Sequence, residues 1–393
     1  MPSNNLNLIP DTILAVALPV PLYRSFDYLP PKGIDPQTLS KGMRVAVQFG
    51  RRPLVGIILE IKNESEYPIA KLKAVQHLLD DHPILPSTIL SLAKWSAQYY
   101  CHPVGEVLFA ILPPALKQGK PITIAGTHRW SITSTSTEVA TDAIKSNAKK
   151  QQQLYQLLEK SPSGLLDETI KLLGYTSTQL KALLNKGLIK SEPLDALTAA
   201  ATEYQASAPP LPLSLDQSKA VKQLTKDLGR FQCTLLQGVT GSGKTEVYMN
   251  FVDDVVSSGR QALILVPEIS LTPQTLNRFQ RHFKCPIGTL HSGLNHNERL
   301  TSWELARQGA AKIIIGTRSA IFTPMKDLGC IVVDEEHDNS FKQQDGFRYS
   351  ARDLAVIRGH REKCPVILGS ATPSLETLNN ALNGKYKRLS LPS

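Results

Sequence analysis

The sequence predicts a multidomain chain: a small β-rich N-terminal domain, a short helical unit closed by a β-ribbon, and an α/β lobe built on a parallel sheet. Three observations carry this. Before residue 124, apolar and alternating runs lie between Gly and Pro turns. From about residue 147, leucines recur at helical spacing in three short segments. From Asp216 onward strand and helix signals alternate, and one strand-to-helix junction, GVTGSGKT at 238–245, fits G-x-x-x-x-G-K-[ST] at every specified place.

Composition sets the class. At 393 residues the chain has room for two or three domains, and 41% hydrophobic with 20% charged residues is the balance of a soluble globular protein. No stretch approaches the ~20 continuous apolar residues of a membrane span, so no membrane partner is expected. The start, MPSNNLNLIP, lacks a basic segment followed by an apolar core, which points away from secretion and toward the cytoplasm. Five cysteines, none in C-x-x-C spacing, suggest neither a zinc site nor a disulfide framework. Cys233, Cys330 and Cys364 fall in or beside apolar strand runs, as buried free thiols would. The net charge of +10 is spread along the chain, compatible with a polyanionic partner and equally with none.

In the first domain, residues 11–125, the runs ILAVALPV, GMRVAVQF and PLVGIILEI predict strands, and 86–100 predicts a helix. The segment PLYRSFDYLPP sets Phe26, Asp27 and Tyr28 between proline-marked turns. It is either a turn with two buried rings or a pocket where a ring stacks on a base and a carboxylate accepts a hydroxyl proton. HRWSITSTSTEVATD is polar and of low complexity, the composition of a linker. Residues 147–192 then predict helices at 149–158, 164–173 and 177–186 and a strand-like close in GLIKS from Gly187, the outline of a winged helix. Its third helix either enters a DNA groove or only bridges domains. Residues 193–213, rich in Ala, Pro, Ser and Thr, form a spacer.

The last domain, residues 214–393, predicts strands at CTLLQ, ALILVP, PIGTL, KIIIGT, GCIVVDEE and PVILGSAT, with helices between them. This is a covered parallel sheet with the glycine-rich loop at a strand's carboxyl end. Gly238, Gly241 and Gly243 tolerate positive φ, so the backbone N–H groups of Gly238, Val239, Thr240, Gly241, Ser242, Gly243, Lys244 and Thr245 can turn around a polyphosphate. ATP with Mg2+ is the expected ligand, with Lys244 at the β/γ-phosphates and Thr245 on the metal. The run GCIVVDEEHD delivers Asp334 and Glu335 at a strand end, expected to face the loop from a neighbouring strand. Asp334 would hold Mg2+ through water and Glu335 would orient or deprotonate the attacking water. Lys244, Asp334 and Glu335 are therefore the catalytic set.

Further blocks resemble superfamily 2 helicases, in their order. Gln217 resembles the glutamine that reads adenine, and LVPEISLTPQ (265–274), the segment around His291, Ser292 and Gly293, and GTRSAIF (316–322, with Arg318) resemble the single-strand-contacting motifs. GSATPS (369–374) resembles the motif that links the ATP site to the DNA track. The spelling DEEHDNSFKQQDGFRYSARDLA (334–355) resembles the PriA-type replication-restart helicases, also called primosomal protein N′, in which an aromatic-rich loop follows the acidic motif. Here Phe341, Phe347 and Tyr349 supply rings, and Lys342 and Arg348 cations, suited to stacking on unpaired bases.

LPVPLYRSFDYLPP and GMRVAVQFG are likewise similar to that family's domain for the 3′ end of a nascent strand, followed by its winged helix, so the resemblance covers nearly the whole chain. Phe26, Asp27, Tyr28, Gly50 and Lys73 match its 3′-terminus pocket. The resemblance implies a RecA-like P-loop helicase lobe and an ATP-dependent 3′ to 5′ DNA helicase that recognises stalled or abandoned forks and starts primosome assembly. It implies branched and single-stranded DNA, other primosome proteins and single-strand-binding protein as partners, a monomer, and a place at the bacterial nucleoid. The family continues with a cysteine-rich zinc module, a second lobe carrying an arginine finger and a C-terminal domain, whereas this sequence stops at Ser393. Zinc is expected only in that further part, and this polypeptide is expected to be weakly active or inactive alone. The rival reading is a fork-DNA recognition module that does not hydrolyse ATP. A generic P-loop ATPase acting on protein is a third, which the aromatic loop argues against.

Overall fold

The computed structural model describes residues 12–122, 127–133, 144, 148–161, 164–194, 212–283 and 285–391. They fall into two compact units, 1–123 with 211–271 and 288–393, and 124–210 with 272–287.

The N-terminal part is an antiparallel sheet of β1 (Ile13–Ala17), β2 (Phe26–Tyr28), β3 (Arg44–Phe49), β4 (Arg52–Lys62) and β5 (His77–Leu78), in the order β2-β1-β4-β3-β5. FDY is thus a strand, paired with β1 from Leu14↔Tyr28 to Val16↔Phe26, rather than a turn. Alternation along the strands divides the side chains between two cores. Leu14, Val16, Val45, Val47 and Ile58 pack with Tyr28, while Ala17, Ile57 and Leu59 face the other way, onto the helices Ser87–Tyr99 and Val104–Ile111. Because β1 is covered on both faces, ILAVA reads as an unbroken apolar run.

The second helix begins hard against the end of β1. A Cβ added to Gly105 would lie 1.7 Å from the Leu18 carbonyl oxygen. Gly105→Ala is expected to destabilise the fold by about 1–3 kcal/mol, seen as a lower urea midpoint, since backbone on both sides must move. The core under these helices is continuous with that of the α/β lobe: Ile89, Leu92, Val107, Leu108 and Leu112 belong to one cluster with Leu300, Trp303, Ile321 and Leu354.

The lobe's sheet runs in the order β11-β12-β10-β13-β16-β9-β17, from β9 (Cys233–Gly238), β10 (Gln261–Leu265), β11 (Ile287–Leu290), β12 (Ile313–Gly316), β13 (Leu328–Val333), β16 (Val366–Ser370) and β17 (Lys387–Leu391). All six predicted strands are present, and β17, with the alternating sequence KRLSL, adds an edge beside β9. β10, β12, β13 and β16 are buried along their whole length and pair in parallel, which explains their near-continuous Val, Ile and Leu. A hairpin of β14 (Lys342–Gln343) and β15 (Tyr349–Ser350) follows β13 and feeds the helix Ala351–Glu362. Cys233, Cys330 and Cys364 are buried free thiols, and burial pushes each thiol pKa up.

In the other unit, β6 (Thr127–Ile132) pairs antiparallel with β7 (Leu165–Leu166) and β8 (Ile189–Leu194), and the helices Lys149–Glu159, Asp167–Leu172 and Ser177–Asn185 lie between. The start of the expected linker is therefore a strand. THRWSI buries Trp130 with Leu154, Leu158, Ile170, Leu180 and Leu183, and its indole nitrogen donates to Asp167. Beyond Thr133 the rest of that linker, and the expected spacer except 193–194 and 212–213, lie outside the described residues. Among the described residues no helix is long and apolar enough to cross a membrane.

Candidate functional site

The carboxyl ends of β9, β13 and β16 meet at one place. β9 breaks into the glycine-rich loop and resumes as the helix Lys244–Ser257. Gly241 and Gly243 have φ of 85° and 81°, the left-handed region where a Cβ is costly. Gly238 is needed for a different reason: its φ is not in that region, but a Cβ there would sit 2.4 Å from Ser242 Oγ and 3.1 Å from Leu391 Cβ. Val239, Thr240 and Gly241 are exposed at the crest, with Ser242 and Thr245 half-buried. Lys244 folds back beneath the loop, its ammonium donating to the Gly238 carbonyl at 2.8 Å and the Val239 carbonyl at 3.4 Å.

The acids approach from β13, which is not the adjacent strand: β16 lies between β13 and β9. They nonetheless reach the loop. Glu335 Oε1 is 3.9 Å from Lys244 Nζ. Asp334 is half-buried, and its Oδ2 accepts the Tyr248 hydroxyl at 2.8 Å while its Oδ1 takes the Glu335 N–H at 3.1 Å. Burial raises the Asp334 pKa, and the Tyr248 hydroxyl opposes the rise. Glu335 itself stands at φ 47°, an uncommon conformation for a residue with a side chain and one that clusters at functional sites.

Two side chains after these acids fasten β13 to β16. His337 Nδ1 hydrogen-bonds Ser370 Oγ at 2.8 Å. Glu336, 1% exposed, accepts from the Ser374 N–H at 2.7 Å, the Thr377 hydroxyl at 2.9 Å, the Ser374 hydroxyl at 3.0 Å and Arg352 Nη1 at 3.3 Å. A buried carboxylate held this fully is a structural anchor. Sequence reasoning passed over Glu336, Arg352, His337 and Tyr248. Tyr248 had a readable signal, since it stands one helical turn beyond Lys244 on the same face.

Gln217 stands beside the glycine-rich loop. At the third position of the helix Leu215–Thr225 it completes a capping box, its Oε1 taking the Ser214 N–H at 2.9 Å, while its Nε2 donates to the Ser242 carbonyl at 3.1 Å. These two bonds tie this helix to the loop and leave one amide N–H and one carbonyl lone pair of Gln217 unused among them.

The residues fit a nucleotide with its metal. Left-handed glycines present bare N–H groups, Lys244 supplies a cation, Asp334 and Glu335 supply carboxylates, and Ser242 Oγ is a buried hydroxyl with no hydrogen-bond partner among the described residues. Thr245 and Asp334 are the side chains that would hold Mg2+, which when bound neutralises phosphate charge.

The aromatic loop is corrected. Phe341, Phe347 and Tyr349 are 2%, 6% and 9% exposed, so they cannot stack on a base at the surface. Apolar area favours burial, and the rings enter the core. The Phe347 centroid lies 4.9 Å from Tyr349, 5.5 Å from His102, 6.0 Å from Phe322 and 6.3 Å from Tyr100. Lys342 and Arg348 remain exposed, as expected. Arg318 is half-buried and braces the loop's start, donating to the carbonyls of Ser340 and Lys342 at 3.0 Å each.

The residues matched to the 3′-terminus pocket are only partly gathered. Phe26 meets Phe49 edge to face at 4.9 Å, Tyr28 donates to the Gln48 carbonyl at 3.3 Å, and Lys73 Nζ reaches the carbonyl of Gly50 at 3.4 Å, where Gly50 turns at φ 58°. Asp27, between two residues that share a face, points the other way. There its Oδ2 is held by Lys62 Nζ at 2.9 Å and Ser65 Oγ at 2.6 Å.

Comparisons with known proteins agree with this arrangement. Residues 15–113 match the 3'DNA-binding domain (3'BD) family and residues 214–381 the DEAD/DEAH box helicase family. Replication restart protein PriA of Haemophilus influenzae is 40% identical over 380 residues, covering 96% of this chain and 52% of that one. Its counterparts in Bacillus subtilis and Chlamydia pneumoniae are 32% and 34% identical, covering 94% and 92% of this chain and 54% and 48% of theirs. The chain spans about half the length of the curated relatives it matches. With a 3′ DNA-binding domain and a DEAD/DEAH box domain in that order, and relatives that match it almost end to end, the chain corresponds to the N-terminal half of the PriA replication restart family.

Proposed function

We propose that this chain is the fork-recognising and nucleotide-binding part of an ATP-dependent 3′ to 5′ DNA helicase that engages stalled or abandoned forks and starts primosome assembly. The observation that carries it is the convergence of Lys244 with Glu335 at 3.9 Å and of Tyr248 with Asp334 at 2.8 Å across an intervening strand. In this reading Lys244 and the loop amides bind the phosphates, Thr245 and Asp334 hold the metal, and Glu335 takes the proton of the attacking water. The anchored pairs His337–Ser370 and Glu336–Ser374 carry changes at the phosphates to the GSATPS segment. The helices and ribbon of 127–194 act as a winged helix, with branched and single-stranded DNA, primosome proteins and single-strand-binding protein as the partners of a monomer in the bacterial cytoplasm.

ATP turnover with and without single-stranded DNA tests the motor. Stimulated turnover supports it. Fork binding with neither turnover nor affinity for a fluorescent nucleotide favours instead a recognition module. For the 3′-end site, the chain is expected to bind a fork whose leading strand ends in a 3′ hydroxyl more tightly than one ending in a 3′ phosphate. Equal affinities would remove Phe26, Asp27, Tyr28, Gly50 and Lys73 from that role.

A further inference from the structure

The two side chains that would hold the metal stand on different elements. Thr245 lies in the first turn of the helix Lys244–Ser257, and Asp334 follows the last residue of β13. A hydrogen bond joins those elements close by: Tyr248, one turn after Lys244, donates its hydroxyl to Asp334 Oδ2 at 2.8 Å. The backbone of Asp334 is fixed without it. Its N–H donates to the Leu265 carbonyl of β10 at 2.9 Å, and the turn at Glu335, φ 47°, brings the next N–H onto Oδ1 at 3.1 Å. A bond to Oδ1 alone leaves the carboxylate free to swing about that oxygen. The Lys244 charge, which acts on Asp334 as well as on Glu335, offers it a competing partner.

Two further features suit Tyr248 to hold that carboxylate still. Its ring is 1% exposed, so close packing keeps the hydroxyl from following a swing. On β16, a Cβ added to Gly369 would touch Asp334 Oδ1 at 3.5 Å, and glycine leaves that flank of the carboxylate uncovered. A carboxylate has about four lone-pair sites, and the bonds from Tyr248 and Glu335 use two of them. The geometry points to Tyr248 as a positioning residue for the metal: its hydroxyl fixes the orientation in which Asp334 meets, through water, the Mg2+ carried with Thr245 and the phosphates. Tyr248 acts through Asp334 and touches neither metal nor phosphate itself. A tyrosine that only filled the core would change folding stability and leave the response to metal as it was. This role rests on the nucleotide-binding reading of the site and adds a residue that it does not contain.

The test titrates Mg2+ into the chain with a fluorescent non-hydrolysable ATP analogue, reading anisotropy, and repeats the nucleotide binding in EDTA. Tyr248→Phe keeps the ring and removes the hydroxyl. It should raise the Mg2+ concentration at half-effect by ~10-fold, the lower end for a group that hydrogen-bonds a metal ligand, while affinity in EDTA stays within ~2-fold of the original. In an Asp334→Asn background the same change should add nothing, because the two side chains act as one unit. An unchanged midpoint, an equal loss with and without metal, or a further rise in the Asp334→Asn background overturns the positioning role and leaves the phosphate site standing. Failure of the unmodified chain to bind the nucleotide, or to bind it more tightly with Mg2+, overturns the nucleotide-and-metal reading itself.

Discussion

Lys244→Ala is expected to lower ATP turnover by at least ~10²-fold, the usual cost of removing a preorganised charge from a reacting centre. The ammonium is held by the Gly238 carbonyl at 2.8 Å and stands 3.9 Å from Glu335, so it is fixed where phosphate charge would develop and balances a carboxylate that would otherwise repel it. Alanine removes both effects. Turnover in the presence of single-stranded DNA and affinity for a fluorescent nucleotide should fall together, while fork affinity without nucleotide stays as it was. A variant that still turns over ATP at the original rate would take the phosphate-binding role away from the loop.

Glu336→Ala should cost about 3–5 kcal/mol of folding stability, the range for stripping one partner from a buried ion pair. Arg352 would lose its buried carboxylate and keep Asp353 and the Ser374 hydroxyl, and the Ser374 N–H and the Thr377 hydroxyl would lose their acceptor. Glu336→Gln preserves shape and some of these bonds and should cost less. Removing Arg352 as well should cost less than the sum of the two single changes, because each single change already removes the contact between them. Chemical denaturation of the three variants checks this. A loss under ~1 kcal/mol for Glu336→Ala would show that water replaces the carboxylate readily, as at an exposed position.

The parallel strands were legible because strands covered on both faces must be almost wholly apolar, and the loop because its glycines and lysine have fixed places. Strand order was not. Nothing in GCIVV or PVILG says that β16 inserts between β13 and β9. The burial of Phe341, Phe347 and Tyr349 was hidden for a related reason: rings among charged neighbours suit a surface or a core equally, and only the approach of Tyr100 and His102, some 250 residues earlier in sequence, decides it. The pairing of Arg44 was equally hidden: it stands in the run GMRVAVQF, yet it is fully buried, paired with Asp80 at 2.6 Å and donating to the carbonyls of Leu116 and Lys120. The capping box that Gln217 completes was already contained in the spelling S-L-D-Q.

The shared packing beneath the helices Ser87–Tyr99 and Val104–Ile111 limits how the molecule can be dissected. Ile89, Val107, Leu108 and Leu112 belong to a cluster that the lobe completes, so a fragment cut just before residue 124 would bare a greasy flank. Such a piece would clump or require solubilising changes along that flank.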